Sequence, residues 1–90
     1  MKQLLFSSKY KKDLKRYRNQ PKKVIKLQKV LTHLIKGETL PSEYKAHYLK
    51  GQYKGCLECH IEDDFLLIWI DEEKNTIQIM RLGSHSELFR

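Results

Sequence analysis

From residue 53 to residue 61 the chain alternates. Tyr53, Gly55, Leu57, Cys59 and Ile61 are apolar or small; Lys54, Cys56, Glu58 and His60 between them are mostly polar. A period of two predicts a strand with one face buried and one wet, and the wet face carries Lys54, Glu58 and His60. Asp63 and Asp64 suit a tight turn. Residues 65–70 are then almost wholly apolar, which predicts a strand covered on both faces at the centre of its sheet. After the turn-like Glu72-Glu73-Lys74-Asn75, residues 76–82 predict a further strand. Residues 1–6 tend to the apolar and predict an edge strand.

Between that first strand and the alternating stretch the period changes. Ser7 or Ser8 can cap a helix by accepting a backbone N–H bond. Residues 9–19 then place Tyr10, Leu14 and Tyr17 on one face, and Asn19-Gln20 ends the run. Pro21 suits the first turn of a second helix, where its missing N–H costs little. Val24, Leu27, Leu31 and Leu34 give that helix an apolar stripe, widened by Ile35, and Gly37 is a good stop. Two such helices form a hairpin whose stripe covers one sheet face. Residues 38–52 have no clear period, and Leu40-Pro41-Ser42 breaks any helix there. We read them as a loop with a short strand or turn. Ser84 and Glu87 fit a capping box, which predicts a last helical turn. The sum is one α+β domain over residues 1–90, a helix hairpin packed on a mainly antiparallel four-stranded sheet.

Charge changes the picture. Lys and Arg number 18 against 11 Asp and Glu, a net charge of +7 on 90 residues. The charged helix faces are either a solvated surface or a surface for a polyanion, nucleic acid or an acidic protein. No apolar run approaches the ~20 residues of a membrane span. Residues 1–6 are short and run into charge, so no export signal is expected. A cytoplasmic location with both cysteines reduced follows as the default.

Cys56-Leu57-Glu58-Cys59-His60 matches the pattern for covalent haem attachment. That chemistry needs an oxidising compartment, and in a strand Cys56 and Cys59 point to opposite faces, so no haem is expected. A redox role lacks the helix start that would activate a thiolate. His47, His60, His85 and Asp64 are metal-ligand types without the local spacing of a zinc motif, so no metal is expected either. Acid–base work remains. Histidine titrates near neutral pH, and a pair can serve as general base and general acid. RNA carries its own nucleophile, the 2′-hydroxyl. Its cleavage needs a base, an acid and a cation for the phosphate, which His60, His85, Arg81 and Lys50 could supply. On the residues alone the histidines are equally well ordinary surface residues, and a basic module that binds RNA or protein without cutting stays open. His33, on the second helix, reads as a surface residue.

Three blocks go further. They are Tyr44-Lys45-Ala46-His47-Tyr48-Leu49-Lys50-Gly51, then Glu58-Cys59-His60-Ile61-Glu62-Asp63-Asp64, then Arg81-Leu82-Gly83-Ser84-His85-Ser86-Glu87-Leu88-Phe89. In this order they resemble the YafQ branch of the RelE-like toxins, bacterial toxin–antitoxin ribonucleases. The resemblance spans nearly the whole chain. It implies a RelE-like fold and ribosome-dependent cleavage of mRNA, without cofactor, metal or haem. It also implies an acidic antitoxin as partner. His47, His60, Asp64 and His85 match that family's catalytic group. Arg81 and Phe89 match the residues that hold the RNA there, and Lys50 and Glu58 lie beside the same site. The family usually has Pro-Asp before an aromatic or aliphatic residue where this chain has Asp63-Asp64-Phe65; by position the matching acid is Asp64.

Overall fold

A computed structural model describes residues 1–72 and 74–89. Five strands form one sheet in the order β1-β5-β4-β3-β2: β1 Gln3–Phe6, β2 His47–Tyr48, β3 Leu57–Glu62, β4 Phe65–Glu72 and β5 Thr76–Gly83. β1 runs parallel to β5, and the other neighbours are antiparallel. Helices α1 Ser8–Lys15 and α2 Pro21–Ile35 follow β1, and a four-residue α3, His85–Leu88, follows β5.

The sheet has five strands, not four. The extra strand, β2, is two residues long, and two residues cannot display a period. It lies between two short 3₁₀ turns, Ser42–Tyr44 and Gly51–Tyr53. α1 is also shorter than the apolar spacing suggested. Ser7 caps it by accepting the Tyr10 N–H, and it ends at Lys15, leaving Tyr17 in a turn. In the turn at residues 72–75, Glu73 lies outside the described residues; Lys74 and Asn75 both take left-handed backbone conformations.

One sheet face carries the main core. Tyr10, Tyr17, Leu27, Val30 and Leu34 meet Cys59, Ile61, Phe65, Leu67, Trp69, Ile77, Ile79 and Leu82. Both helices therefore fill one core, although the stripe read from sequence passed over Val30, which is fully buried. β4 is buried on both faces, as its apolar run required.

The other face departs from expectation. Glu58 was expected in water and is 2% exposed. Cys56, Leu66, Ile68 and Leu88 form a second, smaller cluster there, with Leu49, Tyr53, Ile70, Met80 and Phe89 packed around it. The cover comes from segments remote in sequence, which alternation within one strand cannot reveal. Cys56 and Cys59 do lie on opposite sides, one in each cluster, and burial pushes the Cys59 thiol up to about 12.

Candidate active site

The site is built on this second face. β2 pairs with β3 so that His47 stands opposite Glu58, and close cross-strand neighbours interact directly. His47 Nε2 is 3.2 Å from Glu58 Oε1. Its Nδ1 is 2.7 Å from the carbonyl oxygen of Lys45, whose own backbone is left-handed with φ 52°. His60 projects from the same strand as Glu58. Its Nε2 is 3.9 Å from Glu58 Oε1, its Nδ1 is 3.3 Å from the Asp63 carbonyl oxygen, and its ring centroid is 6.2 Å from that of His47. Two histidines thus share one buried carboxylate.

His85 comes from α3. Four residues cannot hold a helix in water by themselves, because the nucleus of a helix is costly. Contacts from separate parts of the chain hold this one. Ser84 and Glu87 form the capping box. Tyr17 donates its O–H to Glu87 Oε1 at 2.6 Å, and Arg16 pairs with the same carboxylate at 3.3 Å. Asp64 Oδ1 accepts the His85 N–H at 2.8 Å, so Asp64 ties the β3–β4 turn to the start of α3. Tyr53 donates to the Leu88 carbonyl at 3.2 Å. Gly83 lets the chain turn back this tightly: a Cβ there would sit 2.8 Å from Glu87 Oε1. The Ser84 N–H bond, then the Tyr17 hydroxyl, hold the Glu87 carboxyl below the usual carboxylate range. His85 itself is exposed, its ring centroid 4.9 Å from that of Phe89, and Phe89 meets Tyr53 edge-on at 5.4 Å.

Arg81 closes the set. β4 and β5 shift register between Ile68 and Trp69: Ile68 opposes Arg81, while Trp69 opposes Ile79. This bulge makes Met80 the extra residue and breaks the alternation, so that Ile79 and Leu82 enter the main core while Arg81 pairs with Ile68. Arg81 Nε and Nη2 donate to the two carboxylate oxygens of Asp13 at 2.8 and 3.2 Å, and Nη1 donates to the Tyr53 hydroxyl at 3.1 Å. The Asp13 bonds hold the guanidinium in its charged form. Asp13 also accepts the Leu82 N–H at 3.0 Å. Arg81 is therefore a braced cation, its charge already faced by a buried acid. Lys50 is exposed at the start of the second 3₁₀ turn, beside β2.

His47, Glu58 and His60 thus form one group, and Asp64, His85, Phe89, Tyr53 and Arg81 a second. The Asp63-Asp64 turn joins them. Sequence reading missed Asp13 and the bracing role of Tyr53. A signal for Asp13 existed: Tyr10, Asp13, Leu14 and Tyr17 share one helical stripe, and an acid on an apolar stripe needs a buried partner. Among the described residues no group of three or more His, Cys, Asp or Glu side chains is arranged to hold a metal ion.

Residues 2–90 match the family described as bacterial toxin of type II toxin–antitoxin system, YafQ. The mRNA interferase toxin YafQ of Escherichia coli K12 is 36% identical over 85 residues, covering 93% of this chain and 91% of that protein. The structure also superposes on YafQ in the E. coli DinJ–YafQ complex with a TM-score of 0.89, at 32% identity over 100% of both chains. A metal-bound toxin from Helicobacter pylori gives a TM-score of 0.88 at 40% identity, covering 99% of this chain and 100% of that one. Sequence and fold agree from one end of the chain to the other, and the chain belongs to the YafQ family of bacterial type II toxin–antitoxin toxins.

Proposed function

We propose that this chain is an endoribonuclease that cuts mRNA on the ribosome and is neutralised by an acidic antitoxin. The observation that carries the reading is the joined histidine–carboxylate set on one sheet face: His47, Glu58 and His60 at one end, Asp64 and His85 at the other. The activity named for the E. coli relative fits that chemistry. In the proposed reaction a neutral histidine takes the proton of the 2′-hydroxyl, whose oxygen attacks the adjacent phosphorus. The bond from phosphorus to the 5′-oxygen breaks, and a protonated histidine gives that oxygen its proton. The products are a 2′,3′-cyclic phosphate, or the 3′-phosphate from its hydrolysis, and a 5′-hydroxyl. The nucleophile comes from the RNA and the protons from histidines, so the reaction as proposed needs no metal.

His47, His60, Asp64 and His85 form the catalytic group in this reading. Asp64 acts by fixing the start of α3 and with it His85. Lys50, Glu58, Arg81 and Phe89 hold the RNA: Phe89 is a half-buried ring beside His85 on which a base can stack, and Lys50 is an exposed cation. Glu58 carries no positive charge, so it serves through the histidines it touches. The net charge of +7 suits an acidic antitoxin, with fast and salt-dependent association. The E. coli relative is known in a DinJ–YafQ toxin–antitoxin complex, which supports a protein partner for this chain. The test is induced expression in bacteria with mapping of mRNA ends. Discrete new ends and growth arrest, both relieved by the co-expressed antitoxin, are expected. Intact messages during arrest would leave a binding module that cuts nothing.

A further inference from the structure

Glu58 has an unusual environment. Its side chain is 3% exposed, and Oε2 is buried with no hydrogen-bond partner among the described residues. A buried carboxylate with an unpaired oxygen is costly unless positive charge lies beside it. The ring of His47 shows where that charge is. Its Nδ1 is 2.7 Å from the Lys45 carbonyl oxygen, and a carbonyl can only accept, so Nδ1 carries a proton. Its Nε2 is 3.2 Å from Glu58 Oε1, which accepts when the carboxyl is ionised. A neutral imidazole has one protonated nitrogen and one lone pair. Either neutral tautomer therefore turns a lone pair toward an oxygen. With Glu58 ionised, only the ring protonated at both nitrogens suits both neighbours; a neutral His47 would need the Glu58 proton instead.

His60 is held differently. Its Nδ1 lies 3.3 Å from the Asp63 carbonyl, which accepts a hydrogen bond from the N–H of that nitrogen. Its Nε2 is 3.9 Å from Glu58 Oε1, beyond a direct hydrogen bond, so a neutral ring keeps an open lone pair there. We propose that Glu58 is a positioning residue that keeps His47 as an imidazolium cation beside a neutral His60, whose Nε2 is the free base. The use of this pair rests on the nuclease reading above. In that reaction His60 Nε2 takes the 2′-hydroxyl proton as the O2′–P bond forms. His47 keeps its protons and faces the phosphate charge, and a protonated His85 gives its proton to O5′ as the P–O5′ bond breaks. His60 ends as the cation and His85 as the neutral ring, so charge balances.

Nitrogen-resolved NMR of the histidine rings in the free protein at neutral pH tests the assignment without any RNA. The expected result is two protonated ring nitrogens on His47, and one protonated Nδ1 with an open Nε2 on His60. In Glu58→Gln, which keeps the shape and removes the charge, His47 should return to a singly protonated ring. Cleavage should fall on the order of 10²-fold. A singly protonated His47 in the folded wild type overturns the proposal, and so does a His47 that stays doubly protonated in folded Glu58→Gln. If the variant does not fold, the wild-type spectrum decides alone. A protein with the expected ring states that cuts no mRNA upholds the assignment and removes only the nuclease reading.

Discussion

The two faces of one sheet do different work, although the same strands supply both. On the helix-covered face, Cys59, Leu67, Trp69, Ile77 and Ile79 pack against apolar side chains of the two helices. On the opposite face, Leu66, Ile68 and Leu88 make only a small apolar cluster, and ionisable groups accompany it: Glu58 with two histidines, and Arg81, which bonds Tyr53 of that cluster and Asp13 of α1. Burying a polar group without a partner costs free energy, so the first face is almost wholly apolar, and the acid on its helix stripe, Asp13, is paired with Arg81 and the Leu82 N–H. The second face keeps several such groups, among them Glu58 beside His47 and Arg81 bonded to Asp13. One face holds the fold, and the other spends part of its packing on ionisable groups.

Adjacent residues on β4 can break or sharpen this contrast. Leu67 faces the helices and Leu66 faces the site, and both are fully buried. Leu67→Ala should cost near the upper end of ~2–5 kcal/mol, measured by chemical denaturation, and leave the site's contacts intact in the folded fraction. Leu66→Ala should cost less, because its cluster is smaller, yet reduce cleavage more, because Leu88 and α3 lose support. Equal stability losses with equal activities would erase the contrast.

Arg81→Ala comes next. It leaves Asp13 buried and unpaired, which should cost about 3 kcal/mol in thermal or chemical unfolding. Adding Asp13→Asn should recover part of that loss, since the stranded charge is gone. No recovery in the double variant would mean that Asp13 and Arg81 are not coupled. A smaller effect concerns acid. Glu87 has its carboxyl lowered from 4.5 by the Ser84 N–H and the Tyr17 hydroxyl. A lowered folded value contributes stability that is present above about 4.5 and lost as pH falls through the folded value. Glu87→Gln should flatten the pH dependence of unfolding in that acidic window and leave it unchanged near neutrality. An unchanged acid limb would contradict the account of α3. Chelation should have the least effect. Cleavage should persist in EDTA once ribosome integrity is controlled, and rescue only by an added transition metal would contradict the proposed chemistry.

Much of the fold was legible because it repeats within short windows. The alternation through β3, the apolar run of β4, the Ser7 cap and the Ser84–Glu87 box each need only neighbouring residues. Features that depend on distant segments were not. β2 exists because His47 and Tyr48 pair with β3, and that pairing sets His47 against the buried Glu58, while Leu49, Tyr53 and Leu88 pack on the cluster of the same face. The position of Arg81 depends on a bulge, and no local pattern announces one. For the candidate site, the three motif blocks supplied the proposed residues, while the partners that brace them came only from the folded chain. Asp13 alone carried a readable signal, as an acid on an apolar stripe.

The central claim is that histidines on the second face cut mRNA while the first face holds the fold. The most direct test is cleavage of mRNA on purified ribosomes by the wild type and by the His60→Ala/His85→Ala double variant, with thermal unfolding of both. Each positioned acid or base is worth ~10²–10⁴-fold in rate. The account predicts discrete cuts by the wild type, loss of nearly all cleavage in the double variant, and closely similar unfolding of the two proteins. Wild-type cleavage by the folded double variant would contradict it.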